Sequence, residues 1–116
     1  MKDFEGKVNY KGRELKIVFN LNVMQEIQSE YGTLENWGKL TDGGSTGEPD
    51  AKAVIFGFTQ MVNEGIDISN EENGTDEKPM TLKQVGRMIT DIGMDVASEQ
   101  LRQTVVESTQ GDEKNV

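Results

Sequence analysis

The chain has 116 residues, of which 12 are basic and 21 acidic, so its formal net charge is −9. This length supports one domain with a single modest core, and the negative charge disfavours nucleic acid as a partner. The chain contains no Cys and no His, which excludes thiolate catalysis, serine–histidine triads and zinc sites built from these side chains. We therefore expect a protein that is not an enzyme and that needs no metal or other cofactor.

The sequence has no membrane or export signal that we can recognise. No stretch approaches the roughly 18 apolar residues of a membrane span. Residues 1–10 lack the apolar centre of a signal peptide. We expect a cytoplasmic protein that does not bind a membrane.

Residues 4–20 have the pattern of a β-hairpin, with a tight turn at Lys11 and Gly12. The apolar residues that alternate with polar ones on the two strands are Val8, Tyr10, Leu15, Ile17 and Phe19. Val18 interrupts the polar side, which indicates that the second strand is partly covered on both faces. Residues 1–20 hold five bases and three acids, so this hairpin is either a docking edge or an edge that Lys protects from aggregation.

A helical period begins after the hairpin and predicts a helix over about 21–31. Its apolar stripe consists of Leu21, Met24, Ile27 and Tyr31. Asn22 is the predicted N-cap and Gly32 the predicted stop. A shorter helix follows over 33–40, and its Trp37 either covers the end of the core or anchors a partner.

The most apolar part of the chain predicts a central helix over 51–64. Asp50 is its predicted N-cap and Gly65 its predicted C-terminal stop. The stripe comprises Ala51, Val54, Ile55, Phe58, Met61 and Val62. Phe56 widens this apolar face, so we expect the helix to pack on two sides.

Residues 66–79 are rich in acids and predict a solvated loop. Alignment with a calcium-binding EF-hand loop puts Met80 where a bidentate Glu is required, so that site is excluded. Thr81 then caps a helix over 82–92, Gly93 breaks it, and a last helix covers 95–108. These elements predict an α+β fold, a single domain over 1–108 with an N-terminal hairpin and four to five helices, followed by a flexible tail at 109–116.

This layout resembles the tail assembly chaperones of long-tailed bacteriophages and prophages. The similarity is carried by three fragments, GRELKIVFNLNVMQEIQSEYG, AVIFGFTQMVNEG and MTLKQVGRMI. It implies a non-catalytic factor of the bacterial cytoplasm that binds the tape-measure protein and the tail tube protein before they polymerise, and that is absent from the mature virion. Two other hypotheses are a structural tail or connector protein retained in the virion, and a small bacterial adaptor protein.

Flexible Met and aromatic side chains can present an adaptable apolar surface to helical partners. The candidate partner-binding residues are Met24, Tyr31, Trp37, Met88 and Met94. Taken singly, each Met is more often an ordinary core residue. A homo-oligomer is compatible with the same features.

Overall fold

In a computed structural model, which describes residues 4–43 and 47–113, a two-stranded antiparallel hairpin is followed by five helices. The elements are β1 Phe4–Tyr10, β2 Arg13–Phe19, α1 Leu21–Tyr31, α2 Leu34–Asp42, α3 Ala51–Asn73, α4 Leu82–Ile92 and α5 Met94–Glu113. The predicted α+β fold with a helical body is confirmed. None of the helices in these ranges is long and apolar enough to cross a membrane.

The hairpin has the predicted two-residue turn. Lys11 and Gly12 have φ angles of 51° and 75°, as a tight hairpin turn with two left-handed residues requires. Ile17 and Val18 are both fully buried although they point to opposite faces of β2. The prediction that β2 is covered on both faces is therefore confirmed.

The predicted cap of α1 is wrong by two residues. Asn20, directly after β2, is the N-cap, and its Oδ1 accepts a hydrogen bond from the Val23 N–H at 3.3 Å. Because the helix begins without an intervening loop, its buried edge is formed by Val23 and Ile27, while Leu21 is 67% exposed. The first residue of the predicted stripe therefore lies on the solvent side.

Trp37 lies in the core, as one of its two predicted roles requires. It is 2% exposed, and its indole N–H donates a hydrogen bond to the Ala53 carbonyl oxygen at 3.0 Å. The ring packs against α3 at Gly57, where any side chain would collide with it. The glycine therefore makes room for the largest side chain of the chain.

The central helix is longer than the predicted 51–64, because α3 continues through Gly65 to Asn73. Gly65 is buried, and a Cβ there would lie 2.5 Å from the Lys16 carbonyl oxygen. The glycine allows α3 to cross the backbone of β2 and does not end the helix. The stop is Gly74, which has a left-handed φ of 65°. Residues 66–73 of the predicted acidic loop are therefore helical, and the connection between α3 and the next helix is residues 74–81.

The last two helices meet at the predicted break. α4 has the predicted bounds, its N-terminus carries a complete capping box between Thr81 and Gln84, and Gly93 ends it with a φ of 103°. α5 continues to Glu113, so the helix includes residues 109–113 of the predicted tail. Residues 114–116 lie outside the described ranges.

The core is organised around α3, which packs against β2 and against each of the other four helices. Its largest contribution is the predicted stripe, of which Val54, Phe58, Met61 and Val62 are fully buried and Ala51 is exposed. The other elements contribute Ile17, Phe19, Ile27, Val85, Met88, Ala97 and Leu101. The prediction that α3 packs on more than one side is confirmed.

A glycine comparison tests whether the close approach at Gly65 holds α3 on the hairpin. Gly65→Ala should lower the free energy of unfolding by about 1–3 kcal/mol, because the added methyl group overpacks a backbone contact. Gly38→Ala, in α2, is the control, since a Cβ there would enter open space. It should raise the free energy of unfolding by about 0.5–1 kcal/mol through helix propensity. Urea unfolding followed by circular dichroism measures both, and equal changes would contradict the packing role.

Candidate partner-binding groove

An apolar groove lies between α3 and α4 and has a volume of about 630 Å³. Its walls include Ile55, Phe56 and Leu82, and Gly86 lies between them. Leu82 is 52% exposed, which is a large exposed area for a Leu side chain. A Cβ on Gly86 would lie 3.5 Å from Cδ1 of Ile55, so the glycine keeps this part of the groove open. We call this site the α3–α4 groove; its volume is typical of ligand-binding clefts.

Two asparagines of α3 fix the chain segment that leads into α4. The Asn63 amide donates to the Met80 carbonyl oxygen at 3.0 Å and accepts from the Met80 N–H at 2.8 Å. Asn70 makes the same pair of bonds with Glu77, both at 3.0 Å. The capping box at Thr81 starts α4 immediately afterwards. The position of the α4 wall is thus set by side chains of α3.

The edge of the groove is positively charged. Lys52 and Lys83 are among its lining residues, with Glu30 as the acidic one, and Arg87 follows Lys83 one turn later on α4. Residues 78–90 contain three bases and no acid. α4 itself holds two bases, Lys83 and Arg87, and one acid, Asp91, so its formal charge is +1 in a chain with a net charge of −9.

These cations differ from most other bases in having no carboxylate partner among the described residues. The ion pairs that do form there are Lys7–Glu14, Arg13–Glu77, Lys16–Glu72, Lys39–Glu35 and Arg102–Glu99. Lys11 instead lies over the Tyr10 ring, 5.3 Å from its centroid. The bases at the groove are available to a partner.

Tyr31 supports the groove from behind. Its ring meets Phe56 edge to face, with centroids 5.7 Å apart and an interplanar angle of 72°, and such pairs favour a fixed ring position. Within the described ranges the buried Tyr31 hydroxyl has no hydrogen-bond partner. Burial, and then the charges of Asp50 and Glu30, raise the pKa of Tyr31 above its ordinary value.

The structure does not bring the five predicted partner-binding residues together on one surface. Trp37 and Met88 are buried in the core, so neither side chain is exposed to a partner in this structure, and their role in binding stays a prediction. Met24, Tyr31 and Met94 are half-buried against the core. Tyr31 reaches the groove through Phe56.

A second cleft, of about 520 Å³, lies between α2 and α5. Its charged lining includes Arg102, whose Nε lies 3.2 Å from the Glu99 carboxylate. The hydrogen bond and the charge of Glu99 raise the pKa of the guanidinium. Lys39 in the same cleft pairs with Glu35. Because both cations of this cleft already have partners, the α3–α4 groove is the better candidate for binding.

The described residues contain no group of three or more acidic, His or Cys side chains that could hold a metal ion. Comparisons with protein-family models, curated proteins and solved structures found no match to the chain. The functional argument therefore depends on the groove itself.

Two substitutions on α4 distinguish core from surface. Met88→Ala should lower the free energy of unfolding by about 2–5 kcal/mol, because it leaves a cavity in the core. Leu82→Ala should change it by less than about 0.5 kcal/mol, because this side chain is half exposed. Chemical unfolding measures both values, and a large loss from Leu82→Ala would show that Leu82 belongs to the core.

A tyrosine pair tests the environment of the Tyr31 hydroxyl. Tyr31→Phe should leave the free energy of unfolding unchanged or raise it, since it removes a buried hydroxyl without a partner. Tyr10→Phe is the control; its hydroxyl donates to Asp91 at 3.2 Å, and its loss should cost about 0.5 kcal/mol.

Tyr31→Phe should also change how the free energy of unfolding depends on pH. The pKa of Tyr31 in the folded protein is raised from its ordinary value of 10.0, so this side chain ionises at a lower pH in the unfolded chain than in the folded one. The free energy of unfolding should therefore fall as the pH rises above 10.0. Tyr31→Phe should reduce this alkaline loss relative to the unmodified protein. Unfolding curves at neutral and alkaline pH measure the difference, and identical alkaline losses would contradict the assignment.

Proposed function

We propose that this protein is a phage tail assembly chaperone of the bacterial cytoplasm. It acts without catalysis, binds the tape-measure protein and the tail tube protein before they polymerise, and is not retained in the mature virion. The observation that carries this proposal is the exposed α3–α4 groove, whose apolar wall residues include Leu82 with half of its surface in contact with solvent.

A groove between two helices suits a helical client. An amphipathic helix buries its apolar face in such a groove and leaves its polar face in water. Because α4 is 11 residues long, the groove can hold about 16 Å of helix along its wall. A long helical protein such as a tape-measure protein would offer many segments of this length.

The architecture also suits temporary binding. The walls belong to helices anchored in the core, so the groove exists before the client arrives and little ordering is required on binding. The net charge of −9 would disfavour self-association of chaperone–client complexes. A single groove of this size gives modest affinity, as release during assembly requires.

Co-expression with the tape-measure protein of the same phage or prophage tests the proposal. The chain should increase the soluble fraction of that protein and co-purify with it. Leu82→Asp should abolish both effects, because it puts a charge in the apolar wall. Val96→Asp on α5 is the matched control, since Val96 is 50% exposed and Leu82 52%; it should leave both effects intact.

Two results would contradict the proposal. In one, the tape-measure protein aggregates equally with and without this chain, and the tail tube protein does not bind either. In the other, the chain is found in stoichiometric amounts in purified virions, which would identify it as a structural component. Circular dichroism of both variants confirms that they are folded.

A further inference from the structure

We infer that the α3–α4 groove selects an amphipathic helix whose apolar stripe is flanked by acidic residues. This inference rests on the proposed function, since it specifies the client segment that the groove would hold. It follows from the distribution of unpaired cations around the apolar walls.

The cations at the groove are positioned for a partner from outside the domain. Lys52 on α3 and Lys83 on α4 line the groove, and Arg87 is exposed on α4. None of the three pairs with a carboxylate in the described part of the chain, whereas both bases of β2, Arg13 and Lys16, do. The arrangement leaves positive charge beside the apolar surface.

The spacing on α4 specifies a pattern in the partner. Lys83 and Arg87 are four residues apart and therefore lie about 6 Å apart along one side of the helix. A partner helix lying along α4 would match them with two acids that are also four residues apart. Gly86, between them in sequence, allows the backbone of that helix to approach closely.

The net charge restricts the partner further. A chain with a charge of −9 repels a strongly acidic protein at long range. The favoured helix therefore carries its acids beside the apolar stripe and is neutral or basic elsewhere. Such a pattern provides specificity through complementary charge at the rim.

A second copy of this chain is a poor occupant. A symmetric contact centred on the groove, with its axis between Lys83 and Arg87, would bring each of these bases of one copy close to the other base of the second copy. Like charges opposed in this way destabilise an interface. The groove therefore fits a different chain better than a homodimer.

Binding of designed peptides to the full chain tests the inference. The probe is a fluorescein-labelled amphipathic helical peptide of about five turns, with Leu at positions i, i+3, i+4 and i+7 and Glu pairs four residues apart beside the stripe. The comparison peptide has Lys in place of each Glu. Fluorescence anisotropy should give at least about tenfold tighter binding for the Glu peptide.

Charge reversal on the protein provides the second arm. Lys83→Glu with Arg87→Glu should weaken binding of the Glu peptide and strengthen binding of the Lys peptide. The control combines Lys7→Glu with Lys39→Glu, which makes the same change in net charge away from the groove and should leave the preference for the Glu peptide in place. Leu82→Asp should weaken binding of both peptides.

The outcomes separate this inference from the proposed function. Equal affinity for the two peptides, or no binding of either, would overturn the inference, as would a homodimer through α4 in sedimentation experiments. If the tape-measure protein binds equally to the Lys83→Glu, Arg87→Glu variant, the function stands and the charge pattern is wrong. If the Glu peptide binds with the expected preference but neither the tape-measure protein nor the tail tube protein binds, the groove assignment stands and the chaperone function fails.

Discussion

The close approach of α3 to β2 at Gly65 is the constraint on which the rest of the fold depends. Only a residue without a side chain lets the helix backbone pass the Lys16 carbonyl oxygen, so the helix crosses the hairpin without bending away or ending. Its last two turns are thereby carried beneath the hairpin, where Glu72 pairs with Lys16 at 3.6 Å. The extension also supplies Asn70, which together with Asn63 orders the segment before α4. The groove thus depends on a contact outside its own lining.

The uneven distribution of charge in the sequence has a structural explanation. The acids near the end of α3 and after it face the bases of the hairpin, as Arg13–Glu77 at 2.9 Å and Lys16–Glu72 show. These pairs are exposed, so each adds little stability, but they satisfy the charges of both regions locally. The bases of residues 78–90 are left without an internal counterpart in the described ranges. The hairpin bases are thus partly neutralised, and Lys52, Lys83 and Arg87 leave positive charge at the groove.

Capping residues and glycines predicted the ends of a helix correctly where each has the local role that its residue type favours. Thr81 and Gly93 act as the cap and the stop that their residue types favour, and α4 has the predicted bounds. The prediction that Gly65 ends the central helix was wrong, because the sequence does not distinguish a glycine needed for close packing from one needed for a left-handed turn. Periodicity placed Met88 correctly on a helix but could not tell a core position from a binding position. The sequence analysis did not predict the groove, because Leu82 forms its wall only when α3 lies beside α4. The distance between these two helices depends on tertiary packing, which a local sequence pattern does not specify.

The asparagine contacts of α3 constrain length more strongly than sequence between Glu77 and Met80. Asn63 and Asn70 bind main-chain atoms of Met80 and Glu77, so most side chains between these points can be replaced without loss of a hydrogen bond. An inserted or deleted residue would instead shift one main-chain group out of reach and displace the start of α4. This segment should therefore keep a fixed number of residues and vary mainly at Lys78 and Pro79, because Gly74, Thr75, Glu77 and Thr81 have a backbone conformation or side-chain bonds of their own to maintain.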